Sequence, residues 1–161
     1  MSFPMREVDL SFPLHAHLRL DFGYVVPRPP DEVFAILADH DAWPRWFQDF
    51  KGAEVTSPER EGVGMRRRVR VGPLVLEERF IAWEPGRRFS FTMLNANLPI
   101  LAAMLEDWRL APDDGGTRVD YTVAVDLPWW MRLAKPLLLA KFAPMLETAL
   151  PNLAAYAGKR T

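Results

Sequence analysis

The sequence predicts an α+β domain, an antiparallel run of strands with one long helix at its C-terminal end. Three observations predict it. Between Ala53 and Asp126 the chain passes through short segments with strand-like alternation, separated by turn residues at hairpin spacing. One further strand and two short helices precede them. After them, Leu127 to Tyr156 is the longest apolar stretch in the chain, and its second half recurs at helical spacing.

Residues 1–14 show no clear period, and Pro4 and Pro13 break any element there, so they are expected as an arm ahead of a domain spanning 15–161. His17 to Val26 alternates as a strand, with Leu18, Leu20, Phe22 and Tyr24 on one side and Arg19 and Asp21 on the other. Pro27, Pro29 and Pro30 end it. Pro30 to Ala38 is a helix: proline in the first turn gives up a donor that has no partner there. Asp31 and Glu32 sit where the helix dipole favours acids, and Val33, Phe34 and Leu37 form the buried face. Asp41 to Phe47 reads as a second short helix capped by Asp41, with Trp43, Trp46 and Phe47 turned inward.

The strand candidates that follow are Ala53 to Thr56, Gly64 to Val71, Leu74 to Trp83, Arg88 to Leu94 and Thr117 to Asp126, with a sixth around Leu105 to Leu110. Gly72-Pro73, Pro85-Gly86 and Asp113 to Gly116 supply the turns. Consecutive strands joined this tightly pair antiparallel. Asn95 to Ala102 is longer and more apolar than a hairpin needs and is expected as a loop at the mouth of whatever the sheet encloses. From Met145 onward, Leu146, Leu150, Leu153 and Ala157 make one apolar stripe, with Glu147, Thr148 and Asn152 between them. Pro136, Pro144 and Pro151 each remove a backbone donor, so a bent helix, or two in line, is expected.

Composition narrows the function classes. The chain has 161 residues, a net charge of −1 and no cysteine. Near-neutral charge argues against nucleic acid as a partner, and the basic runs lack interleaved aromatics for base stacking. Without cysteine there is no thiolate nucleophile and no cysteine metal site. The first residues hold no apolar run of signal-peptide length, so a cytoplasmic location is expected. Arg132, Lys135, Lys141 and Glu147 interrupt the C-terminal apolar stretch, which argues against a transmembrane span.

Three blocks in this order resemble the START-like, or SRPBCC, superfamily, and within it the polyketide cyclase/dehydrase and lipid-transport branch. They are Val26 to Phe47 (VPRPPDEVFAILADHDAWPRWF), Val75 to Phe91 (VLEERFIAWEPGRRFSF) and Asp107 to Asp126 (DWRLAPDDGGTRVDYTVAVD), completed by the apolar terminal helix. The resemblance implies a helix-grip fold, a curved antiparallel sheet wrapped around the C-terminal helix with an apolar cavity between them. It implies binding or transport of a small hydrophobic ligand such as a lipid, a quinone or a polyketide-like molecule. Alternatively it implies a polyketide cyclase, aromatase or dehydratase, and a third reading is a membrane- or partner-associated module.

Several constellations bear on these readings. Alternation along Arg66 to Val71 puts Arg66, Arg68 and Arg70 on one face and Arg67 with Met65, Val69 and Val71 on the other. The cluster is either a solvated outer face or one from which Arg67 turns inward to meet Glu78 or Glu106, since a buried charge needs a partner. Tyr121 alternates with Val119, Val123 and Val125 and is either a ligand donor or a core tyrosine satisfied by backbone. Glu78, Arg67 and Tyr121 are the nominees for acid/base work. The expected cavity wall is Arg67, Glu78, Phe80, Phe91, Met93 and Glu106, together with Trp108, Tyr121, Val123, Trp130, Leu146 and Leu150. Trp129 and Trp130, with Arg132 and Lys135 beside them, suit a pocket gate or transient membrane contact. His15 and His17 share a strand face without a third ligand, so no metal is expected, and no cofactor motif is present.

Overall fold

The computed structural model describes residues 1–160. Eight strands form one antiparallel sheet: β1 (Phe3–Pro4), β2 (Leu18–Val26), β3 (Phe50–Val55), β4 (Arg66–Val71), β5 (Leu74–Glu84), β6 (Arg88–Ala96), β7 (Ala103–Asp113) and β8 (Gly116–Asp126). Their order is β2-β8-β7-β6-β5-β4-β3, and β1 pairs with the end of β6. Helix α1 (Pro30–Ala38) and a 3-10 turn (His40–Arg45) separate β2 from β3. After β8 come a 3-10 turn (Trp129–Ala134), α2 (Lys135–Glu147) and α3 (Ala149–Lys159). This is a helix-grip α+β fold.

Turn chemistry explains the meander. Gly72 and Pro73 form a two-residue loop between the paired Val71 and Leu74, and Gly72 has φ +55°, a conformation that costs glycine nothing. At Gly86, φ is +73° and an added Cβ would fall 2.4 Å from Asp31 Oδ1, so only glycine closes the β5–β6 turn against α1.

The C-terminal helix is broken between Glu147 and Ala149. Pro151 causes the break: it has no N–H for the Glu147 carbonyl four residues back, and its ring crowds that carbonyl. The two pieces behave differently. Helix α3 buries Ala149, Leu150, Leu153 and Ala157 and packs along β2. Helix α2 buries Leu146 alone and lies loosely over the sheet.

Four sequence expectations need correction. Residues 1–14, expected as an N-terminal arm without a regular element, pack onto the sheet. Met5 is buried, and Phe12 covers Leu105, Ala103 and Ala124 on the outer face of the sheet. Beyond Thr92, β6 is no longer paired with β7, and β1 takes the vacated edge. Asp41 is not a helix cap. The turn starts at His40, without a side-chain cap, and it is 3-10, with Pro44 inside it removing one backbone donor. Tyr24 keeps its place opposite Val119 but is 44% exposed, because β2 is an edge strand. His15 and His17 precede β2 and share no strand face. The His17 N–H donates to Asp126 at 2.9 Å, which anchors the approach to β2.

Candidate functional site

The concave face of the sheet and the inner side of α2 enclose a void of about 110 Å³. One water needs about 10–15 Å³ on the same kind of measure, so the space suits a ring-sized organic molecule. Its apolar wall includes Leu20, Phe91, Val123, Leu138 and Phe142, with Ile100 and Leu101 from the loop after β6. Three charged side chains, Arg67, Glu78 and Glu106, interrupt that wall at the sheet, and Lys135 reaches it from α2.

Strand register assembles the polar group. The two-residue β4–β5 turn places Arg67 directly opposite Glu78. Phe91 stands opposite Glu106, and Glu106 opposite Val123. Arg67 is fully buried, and its Nε donates to Glu78 Oε2 at 2.6 Å. Its Nη1 donates to His40 Nδ1 at 2.9 Å, which leaves the imidazole proton on Nε2. The guanidinium lies 4.7 Å from the Trp43 ring centroid and 4.9 Å from that of Phe91, so aromatic faces replace part of its lost hydration. Its Nη2 has no partner. A buried donor left unpaired costs about 1–3 kcal/mol, more when it is charged.

Two carboxyls share this one cation. Burial pushes Glu78 up, while the charge and hydrogen bond of Arg67 pull it down. The net effect is upward, because burial outweighs Arg67; the permanently charged guanidinium at 2.6 Å favours the carboxylate form of Glu78 as its partner. Burial, and then the negative charge of Glu78, pushes Glu106 up to about 8. Glu106 is therefore a neutral acid at pH 7, held by Trp108 Nε1 at 3.4 Å. The Tyr121 hydroxyl lies close to Glu106 but makes no hydrogen bond of good geometry. Burial, with the charge of Arg67, pushes His40 down to about 3, so it stays neutral. The cluster can thus offer a ligand a cationic N–H and a protonated carboxyl, at no net charge.

Of the residues expected from sequence, Arg67, Glu78, Phe91, Glu106, Val123 and Leu146 line the void. The other six lie outside its lining. Phe80 and Met93 are packed beneath it, where Phe80 contacts the Arg67 guanidinium at 5.2 Å. Tyr121 stacks flat on Trp108, centroids 3.8 Å apart, so that both belong to the core. Leu150 is spent on the α3 contact, and Trp130 faces outward. Sequence reading missed His40, and no local pattern marks it. It also missed Leu138, Leu139 and Phe142, because α2 carries leucines on its inner and outer sides alike and so shows no single stripe. Among the described residues no group of three metal-ligating side chains converges, and no helix is long and apolar enough to cross a membrane.

Comparison with known proteins places the chain. Uncharacterized proteins of Mycobacterium bovis and Mycobacterium tuberculosis are each 35% identical to it over 149 residues, covering 92% of this chain and 87% of theirs. An aromatase/cyclase, ZhuI, from Streptomyces sp. R1128 shares the fold with a TM-score of 0.75 at 21% identity, over 89% of this chain and 94% of that one. A START superfamily protein from Mycobacterium smegmatis superposes with a TM-score of 0.61 at 14% identity, over 84% of this chain and 98% of that one. The family model described as polyketide cyclase/dehydrase and lipid transport matches residues 21–158. The chain belongs to that family.

Proposed function

We propose that the chain binds a small, largely apolar molecule carrying one neutral polar group, such as a carbonyl or hydroxyl. The apolar body lies under α2 and the polar group meets Arg67 and Glu106. One observation carries this reading: a fully buried guanidinium with an unpaired N–H stands at the wall of an apolar void. A neutral head suits the site better than a carboxylate, because Glu78 already matches the Arg67 charge. Burying about 150 Å² of ring surface contributes about 4 kcal/mol. Anything much larger than one ring has to displace α2, the loosest of the surrounding elements.

The test is to purify the chain gently and extract it for native mass spectrometry. In parallel, a fluorescent apolar probe is titrated into wild type and Ala143→Trp, which fills the void from α2. Binding by wild type and its loss in the filled variant are expected. Equal binding by both would overturn the reading.

A second reading, an enzyme of the cyclase, aromatase or dehydratase kind, has its own support in Glu106. A carboxylic acid that holds its proton near neutrality, beside a cation, is suited to protonating a carbonyl or a departing hydroxyl. Glu106→Gln keeps shape and neutrality but cannot give up a proton. On the enzyme reading it abolishes turnover of a polyketide-type substrate while binding survives. On the binding reading there is no turnover to lose.

A further inference from the structure

Helix α2 and the turn before it carry large apolar side chains on both sides, with only Arg132, Lys141 and Glu147 as exposed charges. The inner side, with Leu138, Leu139, Phe142 and Leu146, lines the void. The outer side carries Trp129, Trp130, Leu133 and Leu137, and these are 79%, 46%, 95% and 73% exposed. Trp129, Trp130 and Leu133 lie in the 3-10 turn and Leu137 in the first turns of α2, so the exposed apolar side chains sit close together at the start of the terminal helix. Soluble helices hide one face and wet the other, and a helix apolar all round is buried on both sides. Contrast α3, whose exposed positions include Asn152 and Lys159.

Up to Leu146 the charges of this stretch have one sign, and Glu147, exposed at the end of α2, is the first acid beyond it. From Leu127 to Leu146 there is no acidic residue, whereas Arg132, Lys135 and Lys141 are interspersed among the apolar ones. Arg132 and Lys141 are exposed at the borders of the apolar strip. Nearby, the His17 ring lies 3.4 Å from Arg132, and Asp126 is occupied by Arg6 and the His17 N–H. The chain as a whole has a net charge of −1, so this strip is a local departure rather than a general basicity. Amphipathic tryptophans and leucines flanked by cations, with no acid among them, match an interface of apolar chains beneath anionic headgroups.

We infer that the outer face of the Trp129–Ala134 turn and α2 docks on an anionic lipid surface. Trp129, Trp130, Leu133 and Leu137 enter the headgroup boundary, and Arg132 and Lys141 pair with the headgroups. The docking needs nothing from the cavity reading. Its use, passing an apolar molecule between the bilayer and the void across a loosely held α2, rests on that reading.

The experiment is flotation of the full chain with phosphatidylcholine vesicles and with vesicles containing about one-third phosphatidylglycerol. Wild type floats with the anionic vesicles, at least tenfold less with the neutral ones, and less as salt is raised. Trp129→Ser combined with Leu133→Ser, and separately Arg132→Glu combined with Lys141→Glu, each lower the bound fraction at least tenfold. All four side chains are exposed, so both variants keep the wild-type melting temperature and bind the apolar probe as wild type does. Absence of wild-type flotation, or flotation that either variant leaves intact, overturns the proposal. So does a stable dimer by light scattering that Trp129→Ser with Leu133→Ser disperses, since the face would then serve a second copy. Ala143→Trp separates the two readings: if it and wild type bind the probe equally while flotation persists, docking stands and the cavity reading falls.

Discussion

Replacing Glu106 with glutamine should flatten the loss of stability that the wild-type protein suffers as pH rises toward 8. Glu106 is pushed up to about 8 by burial and by the charge of Glu78, whereas an unfolded glutamate titrates near 4.3. Between those values the folded state holds a proton that the unfolded state has lost. Stability therefore falls with rising pH, by up to about 1.4 kcal/mol per unit. His40 acts in the opposite sense. It is pushed down to about 3, while an unfolded histidine titrates near 6.5, so stability rises with pH across that span. The two slopes nearly cancel between about 4.3 and 6.5. From about 6.5 to 8 the Glu106 slope stands alone and amounts to about 2 kcal/mol. For a chain of this length that is a drop of about 4–8 °C in melting temperature. Glutamine has nearly the same volume and no proton to lose, and it leaves the Arg67–Glu78 pair in place. Urea unfolding of both proteins at half-unit steps from pH 5.5 to 8.5 makes the comparison. Because His40 is common to both proteins, the variant should gain on wild type progressively across the whole range from pH 5.5 to about 8. Parallel curves over that range would mean that Glu106 ionises normally, and the neutral-acid account of the site would be wrong.

Arg67→Met should cost about 3–5 kcal/mol by chemical denaturation, because it strands the buried Glu78 carboxylate; adding Glu78→Met should recover much of that loss. Leu153→Ala, at a position with no exposure on α3, should cost about 2–5 kcal/mol. Leu137→Ala on the outer face of α2 should stay within about 0.5 kcal/mol, and similar costs at the two sites would contradict the division of labour between the helices. Phe12→Ala should lower stability by about 3–5 kcal/mol in a thermal melt, since the ring is 1% exposed against β7 and β8; a silent substitution would show that the N-terminal segment is not part of the core.

Much of the site's wiring was legible from local chemistry. A two-residue Gly72-Pro73 loop pairs Val71 with Leu74, and counting back along both strands puts Arg67 opposite Glu78. The period of two sends Arg67 inward and Arg66, Arg68 and Arg70 outward, as the structure has them. Helix α1 and the meander are equally local, since proline, glycine and alternation act within a few residues. Glu106 was legible as an inward acid but not as a neutral one, because its proton is held by complete burial and then by the charge of Glu78, two strands away in the sheet.

What only the tertiary structure decided involves partners distant in sequence. His40 reaches Arg67 because the 3-10 turn packs under the sheet, and Phe12 is ordered by strands some ninety residues further on, as its packing on Leu105 and Ala103 shows. Sequence led to the expectation of a bent helix or two in line, from three prolines that each remove a donor; it did not show that Pro144 would be carried inside α2 while the break falls just before Pro151. It could not say which half grips the sheet and which half covers the void. A helix with leucines on opposite sides, as α2 has in Leu137 and in Leu138 and Leu139, marks no single face of its own, so the face that turns toward the sheet is chosen by what lies opposite it.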